Sequence, residues 1–191
     1  IVGGQSFYQR KEIKDLLGYL RFIVNQRDEE AFKRIINLPK RGIGDTTVAK
    51  ITVTAAENNM PLWDVVANIG QYASGRSITA IDQFGTLIKS FKILIENGQD
   101  AYEVASHVAK ASGLLRELYE DKTVEGLSRY ENVQELLNAI KEFVDNDESE
   151  EKSLSAFLQS VSLLTNADEP DENEDHDRVT LMTIHSAKGL E

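Results

Sequence analysis

The chain has 191 residues, of which 41% are hydrophobic, and a formal net charge of −11. This length and composition suit one domain with a sizeable core. Cysteine is absent, which excludes a disulfide framework and a thiolate metal site. No apolar run approaches the length of a membrane span, and the N-terminal residues lack the basic start and apolar core of a signal peptide. We therefore expect a cytoplasmic protein with no metal site and no membrane partner.

The charge is unevenly distributed along the chain. Between Asp145 and Asp177 there are twelve acidic residues and one lysine, a balance of −11, so the rest of the chain is neutral. Residues 1–50 hold ten basic and six acidic residues, a balance of +4. The acidic stretch is typical of a solvated loop. The negative total therefore does not argue against nucleic-acid binding by the basic N-terminal part.

Taken in chain order, the sequence predicts a short strand, a series of helices and a second short strand. Ile1 and Val2 are β-branched and precede two glycines, as at the end of a strand. Apolar residues then recur at spacings of three and four, which is the helical period. The predicted helices cover residues 7–25, 28–38, 46–58, 60–70, 78–96, 100–112, 114–118, 125–145 and 152–164.

The C-terminal part of the chain has a different character. Residues 166–177 are acidic and nearly devoid of apolar side chains, so we expect an exposed, mobile loop. Residues 179–184 are rich in β-formers and predict a strand. The fold class predicted is therefore mainly α, with about eight or nine helices between two terminal strand stumps. Because two isolated strands are marginal in water, this pattern indicates a helical insertion into a larger α/β domain.

A tight turn is predicted within residues 38–47, between two of the helices. Gly42 and Gly44 flank Ile43, and glycine tolerates both positive φ and a close backbone approach. A helix that begins at Asp45 or Thr46 leaves unpaired amides at the positive end of its dipole. Such a turn is an anion site, although glycines that serve only chain reversal are the alternative interpretation.

The neighbouring side chains indicate which anion the turn would bind. Lys40 and Arg41 lie directly beside the glycines, and cations next to exposed amides suit a phosphate group. The pattern resembles the helix-hairpin-helix element that binds the DNA backbone. We therefore predict a backbone contact with duplex DNA at this turn.

The chain also resembles the UvrD/PcrA/Rep type of superfamily 1 DNA helicases, in the expected order along its whole length. Residues 183–191, TIHSAKGLE, resemble motif V of that family. The other matching residues are Gly3, Gly4, Phe7, Tyr8, Arg10, Glu12, Ile13, Lys14, Asp15, Tyr19, Leu20, Arg21, Asn37, Pro39, Arg41–Gly44, Ser112–Leu114, Arg129, Glu131 and Asn132. The resemblance implies that residues 6–177 are a helical 2B subdomain. Residues 1–5 would then be the edge of the RecA-like 2A subdomain, and residues 178–191 would be its return strand and motif V.

The same resemblance implies the site residues. Those implied for the DNA backbone are Arg41, Gly42, Ile43, Gly44, Thr46 and Thr47, and the charge argument above adds Lys40 to them. Thr183 and His185 are implied for the single-stranded track, and Gly189 and Glu191 for the nucleotide site. No phosphate loop and no acidic Mg²⁺-binding motif occur in the chain. ATP and Mg²⁺ are thus expected in the longer parent protein, whereas this fragment is expected to be inactive.

The function implied is part of an ATP-dependent 3′–5′ DNA helicase, with a duplex–single-strand junction as its partner. Repair or replication proteins are further expected partners. Two alternatives stay open at this point. One is a protein-interaction module of a DNA-repair factor, which would bind its partner but not DNA. The other is a piece of a helicase-nuclease, whose nuclease domain would follow residue 191.

Overall fold

The computed structural model describes residues 5–75, 77–146 and 151–166, and these residues form eleven α-helices and no strand. The helices are α1 Gln5–Tyr8, α2 Lys11–Val24, α3 Glu29–Ile35, α4 Asp45–Glu57, α5 Leu62–Ala67, α6 Ile69–Tyr72, α7 Ser77–Glu96, α8 Ala101–Ala111, α9 Leu114–Glu120, α10 Val124–Asp145 and α11 Leu154–Asn166. The prediction of a mainly helical chain is confirmed. The predicted strand stumps and residues 167–177 of the predicted acidic loop lie outside the described residues. Asn166, expected at the start of that loop, is instead the last residue of α11.

The expected count of eight or nine helices is too low, because two predicted helices are each interrupted. Arg10 has an extended backbone, with ψ of 141°, and separates α1 from α2. Asn68, with φ of −125° and ψ of 33°, separates α5 from α6. Gly70, expected to end the helix over residues 60–70, lies inside α6 instead. Apolar residues continue at spacings of three and four across the second break, from Leu62 through Val66 to Ile69, so periodicity could not reveal it. The four residues between Tyr8 and Ile13, at the first break, are all polar.

Helix α2 lies at the centre of the bundle and packs against α1, α3, α7, α8, α10 and α11. Ten of its fourteen residues are buried, far more than the single stripe of a surface helix. Its Phe22 meets Phe32 of α3 and Phe84 of α7, with ring centroids 5.6 and 6.5 Å away. Trp63 lies against the same ring at 6.1 Å. This aromatic cluster joins α2 and α3, which precede the turn at residues 38–47, to α5 and α7, which follow it.

Two buried carboxylates fix α2 against its neighbours. Asp15 accepts hydrogen bonds from Arg34 Nε at 2.9 Å and from Lys11 Nζ at 3.0 Å. Glu12 accepts one from Asn132 Nδ2 at 2.6 Å, and the amide oxygen of Asn132 accepts from Arg10 Nη1 at 2.6 Å. Each buried charge therefore has a partner, as burial requires.

The turn between α8 and α9 comes close to the hairpin. Asp100 and Glu103 form a capping box that starts α8. Gly113 ends it with φ of +89°, and a Cβ placed there would lie 3.4 Å from Pro39 Cγ. Glycine is favoured here by the left-handed backbone, whereas a Cβ at 3.4 Å would be about in ordinary van der Waals contact with Pro39. No helix in the described part of the chain is long and apolar enough to cross a membrane.

Candidate nucleic-acid interface

The predicted turn joins α3 to α4. Gly42 has φ of +76°, the left-handed conformation that favours glycine. Gly44 instead has φ of −81° and ψ of 163° and is the N-cap of α4, which begins at Asp45. The expectation of positive φ is therefore confirmed for Gly42 and wrong for Gly44. The other glycine property, room for a close approach, applies to Gly44, since a Cβ built there has no described residue within 4 Å other than its two chain neighbours.

Asn37 and Ile43 hold the loop in shape. The Asn37 side-chain oxygen accepts hydrogen bonds from the amides of Arg41, at 2.7 Å, and of Ile43, at 3.2 Å. Ile43 is 1% exposed and belongs to the core. Ile43 therefore anchors the loop, whereas the glycines on either side of it are exposed.

A set of amides at the tip of this hairpin has no acceptor among the described residues. Gly44 O accepts from the amides of Thr47, at 2.9 Å, and Val48, at 3.1 Å. The amides of Gly42, Gly44, Asp45 and Thr46 make no such bond within the described ranges. All four residues are exposed. Because α4 has thirteen residues, the positive end of its dipole adds to these donors.

The polar side chains around the tip differ in orientation. Thr46 is exposed, whereas Thr47 is half-buried and its hydroxyl lies 3.4 Å from that of Ser77. Asp45 is exposed, and its carboxylate opposes an incoming anion. Lys40 is exposed and has no ion pair among the residues that the structure describes. Lys40 is therefore the cation of this loop that is free to meet a phosphate.

Arg41 is placed at the hairpin as predicted, but its guanidinium is engaged by the protein. Nη1 lies 2.9 Å from the carbonyl oxygen of Leu38 and 3.0 Å from that of Ile35. Nη2 donates to the hydroxyl of Tyr19. Burial raises the pKa of that hydroxyl above its ordinary value, although the adjacent guanidinium lowers it. Tyr19 is therefore a neutral phenol at physiological pH.

The other four predicted site residues belong to the C-terminal part of the sequence. Thr183, His185, Gly189 and Glu191 lie outside the described residues. Within the described ranges, no group of three or more His, Asp or Glu side chains could hold a metal ion.

Three residues that organise the hairpin were not predicted as part of the site. Asn37 precedes the turn by several residues, and a side-chain amide before a turn is a recognisable signal for capping of backbone amides. Tyr19 and Ser112 carry no such signal, because they lie 22 and 71 residues from Arg41 along the chain. Their contribution depends on how α2 and the α8–α9 turn pack.

Comparison with known proteins identifies the family of the chain. All of the chain, residues 1–191, matches the family described as UvrD-like helicase C-terminal domain. It is 40% identical over 196 residues to the ATP-dependent DNA helicase PcrA of Staphylococcus epidermidis strain ATCC 35984, and 41% identical over 192 residues to that of Staphylococcus aureus strain Mu50. The alignments cover 100% of the chain but 26% of each relative, so the chain spans about a quarter of their length. The chain belongs to the family of UvrD-like helicase C-terminal domains.

Proposed function

We propose that this chain is the helical accessory part of an ATP-dependent 3′–5′ DNA helicase and that its hairpin binds the backbone of duplex DNA beside a single-strand junction. Family membership and the two relatives, whose names are those of ATP-dependent DNA helicases, support the helicase part of this proposal. The observation that carries the DNA-binding part is the set of exposed hairpin amides, at Gly42 and at 44–46, which have no acceptor in the described part of the chain.

In the longer protein, each part of this chain would have the role of the subdomain to which it is assigned. Residues 6–177 correspond to the 2B subdomain, and residues 1–5 and 178–191 to the adjoining parts of 2A. ATP and Mg²⁺ are cofactors of the longer protein. Thr183 and His185 would line the single-stranded track, and Gly189 and Glu191 the nucleotide site. The chain by itself is expected to hydrolyse no ATP, and repair or replication proteins are proposed as further partners of the parent.

The hairpin is suited to a contact that ignores base sequence. Backbone amides and a helix N-terminus bind phosphate oxygens, which are the same at every base pair. Lys40 adds a charge that counterion release makes sensitive to salt. Such a contact can hold any duplex while the motor subdomains pull one strand, which is what a helicase requires of an accessory domain.

A substitution at Gly44 tests the proposal without disturbing the core. The methyl group of Gly44→Ala would meet no atom of the described residues within 4 Å apart from its two chain neighbours, and it would occupy the space through which a phosphate reaches the amides. Gly70→Ala is the matched control, because Gly70 is also exposed and open and lies in α6. We expect Gly44→Ala to weaken binding to a junction duplex severalfold, measured by fluorescence anisotropy, and Gly70→Ala to leave it unchanged.

The acidic stretch requires a parallel measurement. Residues 167–177 carry seven carboxylates, which oppose DNA binding and lower the affinity of every variant. The same two substitutions are therefore also measured in chains that lack these residues. Equal binding by both variants and the unaltered chain would exclude the hairpin as the DNA contact. Binding of a repair protein without any DNA binding would favour the protein-interaction alternative.

A further inference from the structure

The guanidinium of Arg41 meets carbonyl oxygens at the C-terminal end of α3 and in the loop that follows it. Nη1 lies 3.0, 3.3, 2.9 and 3.2 Å from the oxygens of Ile35, Ile36, Leu38 and Pro39. The last carbonyls of a helix have no partner within the helix. A cation placed there is also favoured by the negative end of the helix dipole. Arg41 therefore acts as a charged cap on the segment that leads into the hairpin.

The second amino group of the guanidinium reaches two other elements. Nη2 donates to the Tyr19 hydroxyl on α2 and lies 3.4 Å from the carbonyl oxygen of Ser112, at the end of α8. The guanidinium carbon lies 5.5 Å from the ring centroid of Phe84 on α7 and 5.9 Å from that of Tyr19, within the range of cation–π attraction. One side chain thus connects the hairpin with three helices.

This arrangement conflicts with a direct role for Arg41 on phosphate. If the side chain turned outward, the carbonyls after α3 would lose their shared donor and the Tyr19 hydroxyl would lose one partner. The backbone amide of Arg41, in addition, is held by Asn37 at 2.7 Å. Lys40 makes no such contacts, since its side chain is exposed and has no hydrogen-bond or ion-pair partner among the described residues.

We propose that Arg41 is a positioning residue that, with Tyr19 and Asn37, presets the hairpin so that its amides face phosphate, and that Lys40 is the side chain that meets the phosphate charge. This proposal rests on the proposed function, because it assigns roles within the same DNA contact. It replaces the sequence-based expectation that Arg41 itself supplies charge to DNA. Shape and charge at the hairpin therefore come from two neighbouring residues with different tasks.

The contacts of Arg41 require a side chain whose hydrogen-bond donors point in two directions. Its planar fork presents donors in two directions at once, toward the carbonyls after α3 and toward Tyr19 and Ser112. A lysine at position 41 has a single nitrogen and would reach one set but not the other. Arg41→Lys is thus expected to keep part of the DNA affinity that Arg41→Gln loses. It should not keep all of it, although lysine and arginine carry the same charge.

The experiment measures junction binding by the full chain over a series of salt concentrations for Lys40→Gln, Arg41→Gln, Arg41→Lys and Tyr19→Phe. Loss of a phosphate contact lowers the slope of log affinity against log salt by about 1. We expect that change for Lys40→Gln alone. Arg41→Gln should weaken binding about threefold to tenfold at every salt concentration, as one or two lost hydrogen bonds would, with the slope unchanged. Arg41→Lys and Tyr19→Phe should fall between Arg41→Gln and the unaltered chain.

The amide NMR signals of Gly42 and Gly44 give a second readout that is independent of DNA. We expect them to shift in Arg41→Gln and Tyr19→Phe and to stay in place in Lys40→Gln. Arg41→Gln would overturn the proposal if it lowered the salt slope by about 1 while these signals stayed in place. If no variant changed DNA affinity but the signals shifted as expected, the proposed DNA contact would fail and the positioning role would stand. If Arg41→Gln does not fold, the positioning role is tested with Tyr19→Phe instead, by its salt slope and by its Gly42 and Gly44 amide signals.

Discussion

The hydroxyl of Tyr19 donates a hydrogen bond to the carbonyl oxygen of Leu38 over 2.6 Å, and so links the central helix α2 to the first residue of the hairpin loop. Tyr19 is fully buried, so the bond is shielded from water. The same hydroxyl accepts from Arg41. The position of the exposed loop is therefore coupled to the core of the bundle through one phenol.

Replacing Tyr19 by Phe should destabilise the chain. The ring and its packing are kept, but the hydrogen bonds to Leu38 and Arg41 are lost, and a pair of buried hydrogen bonds contributes about 1 to 2 kcal/mol. The free energy of unfolding in urea measures the loss. Tyr119→Phe is the control, because Tyr119 is 62% exposed and should change stability little. An unchanged midpoint for Tyr19→Phe would show that the link is energetically unimportant.

The buried carboxylate of Asp15 should contribute more to stability than an exposed one. Its side chain is 9% exposed and bonds to both Arg34 and Lys11. Asp15→Asn removes the charge that pairs with these cations, at a cost of about 2 kcal/mol. Glu125→Gln removes an 81% exposed carboxylate that pairs with Arg129, at a cost of no more than about 0.5 kcal/mol. Urea unfolding of both variants checks this, and equal losses would contradict it.

Adding a methyl group should lower the stability of the folded chain at Gly113 and raise it at Gly70. Gly113 has φ of +89° and lies against Pro39, so Gly113→Ala is strained and should cost about 1 to 2 kcal/mol. Gly70 lies within α6, is exposed and has open space. Gly70→Ala should therefore stabilise the chain by up to about 1 kcal/mol. Thermal unfolding of the two variants should move the midpoint down and up, respectively, and a rise for Gly113→Ala would contradict the expected strain.

The stability of the folded chain should decline in strongly alkaline solution because two buried tyrosines ionise there more readily when the chain is unfolded. Burial raises the pKa of both Tyr8 and Tyr19 above the unfolded value of 10.0. The folded state therefore holds these protons where the unfolded state releases them. Their contribution is complete below pH 10.0 and is lost as the pH rises from there through the folded pKa. The free energy of unfolding against pH measures this effect, and the double variant Tyr8→Phe, Tyr19→Phe should decline less steeply. Equal slopes would show that neither tyrosine contributes.

The sequence by itself determined the helical class and most helix positions. Apolar residues at spacings of three and four predict the long helices α2, α7 and α10. The helix predicted over residues 100–112 has nearly the bounds of α8, which Asp100 caps and Gly113 follows. These features depend on residues within one or two turns of each other. The position of the hairpin and its two glycines followed in the same way.

Tertiary structure alone decided what each hairpin side chain does. Local sequence gave Lys40 and Arg41 the same expected role, because both are basic and adjacent to the glycines. Arg41 turns toward carbonyls and a phenol that α2 and the end of α8 bring within reach, whereas Lys40 stays in solvent. A hydrogen bond to a partner 71 residues away leaves no periodic signal in the sequence, because it exists only once the helices have packed.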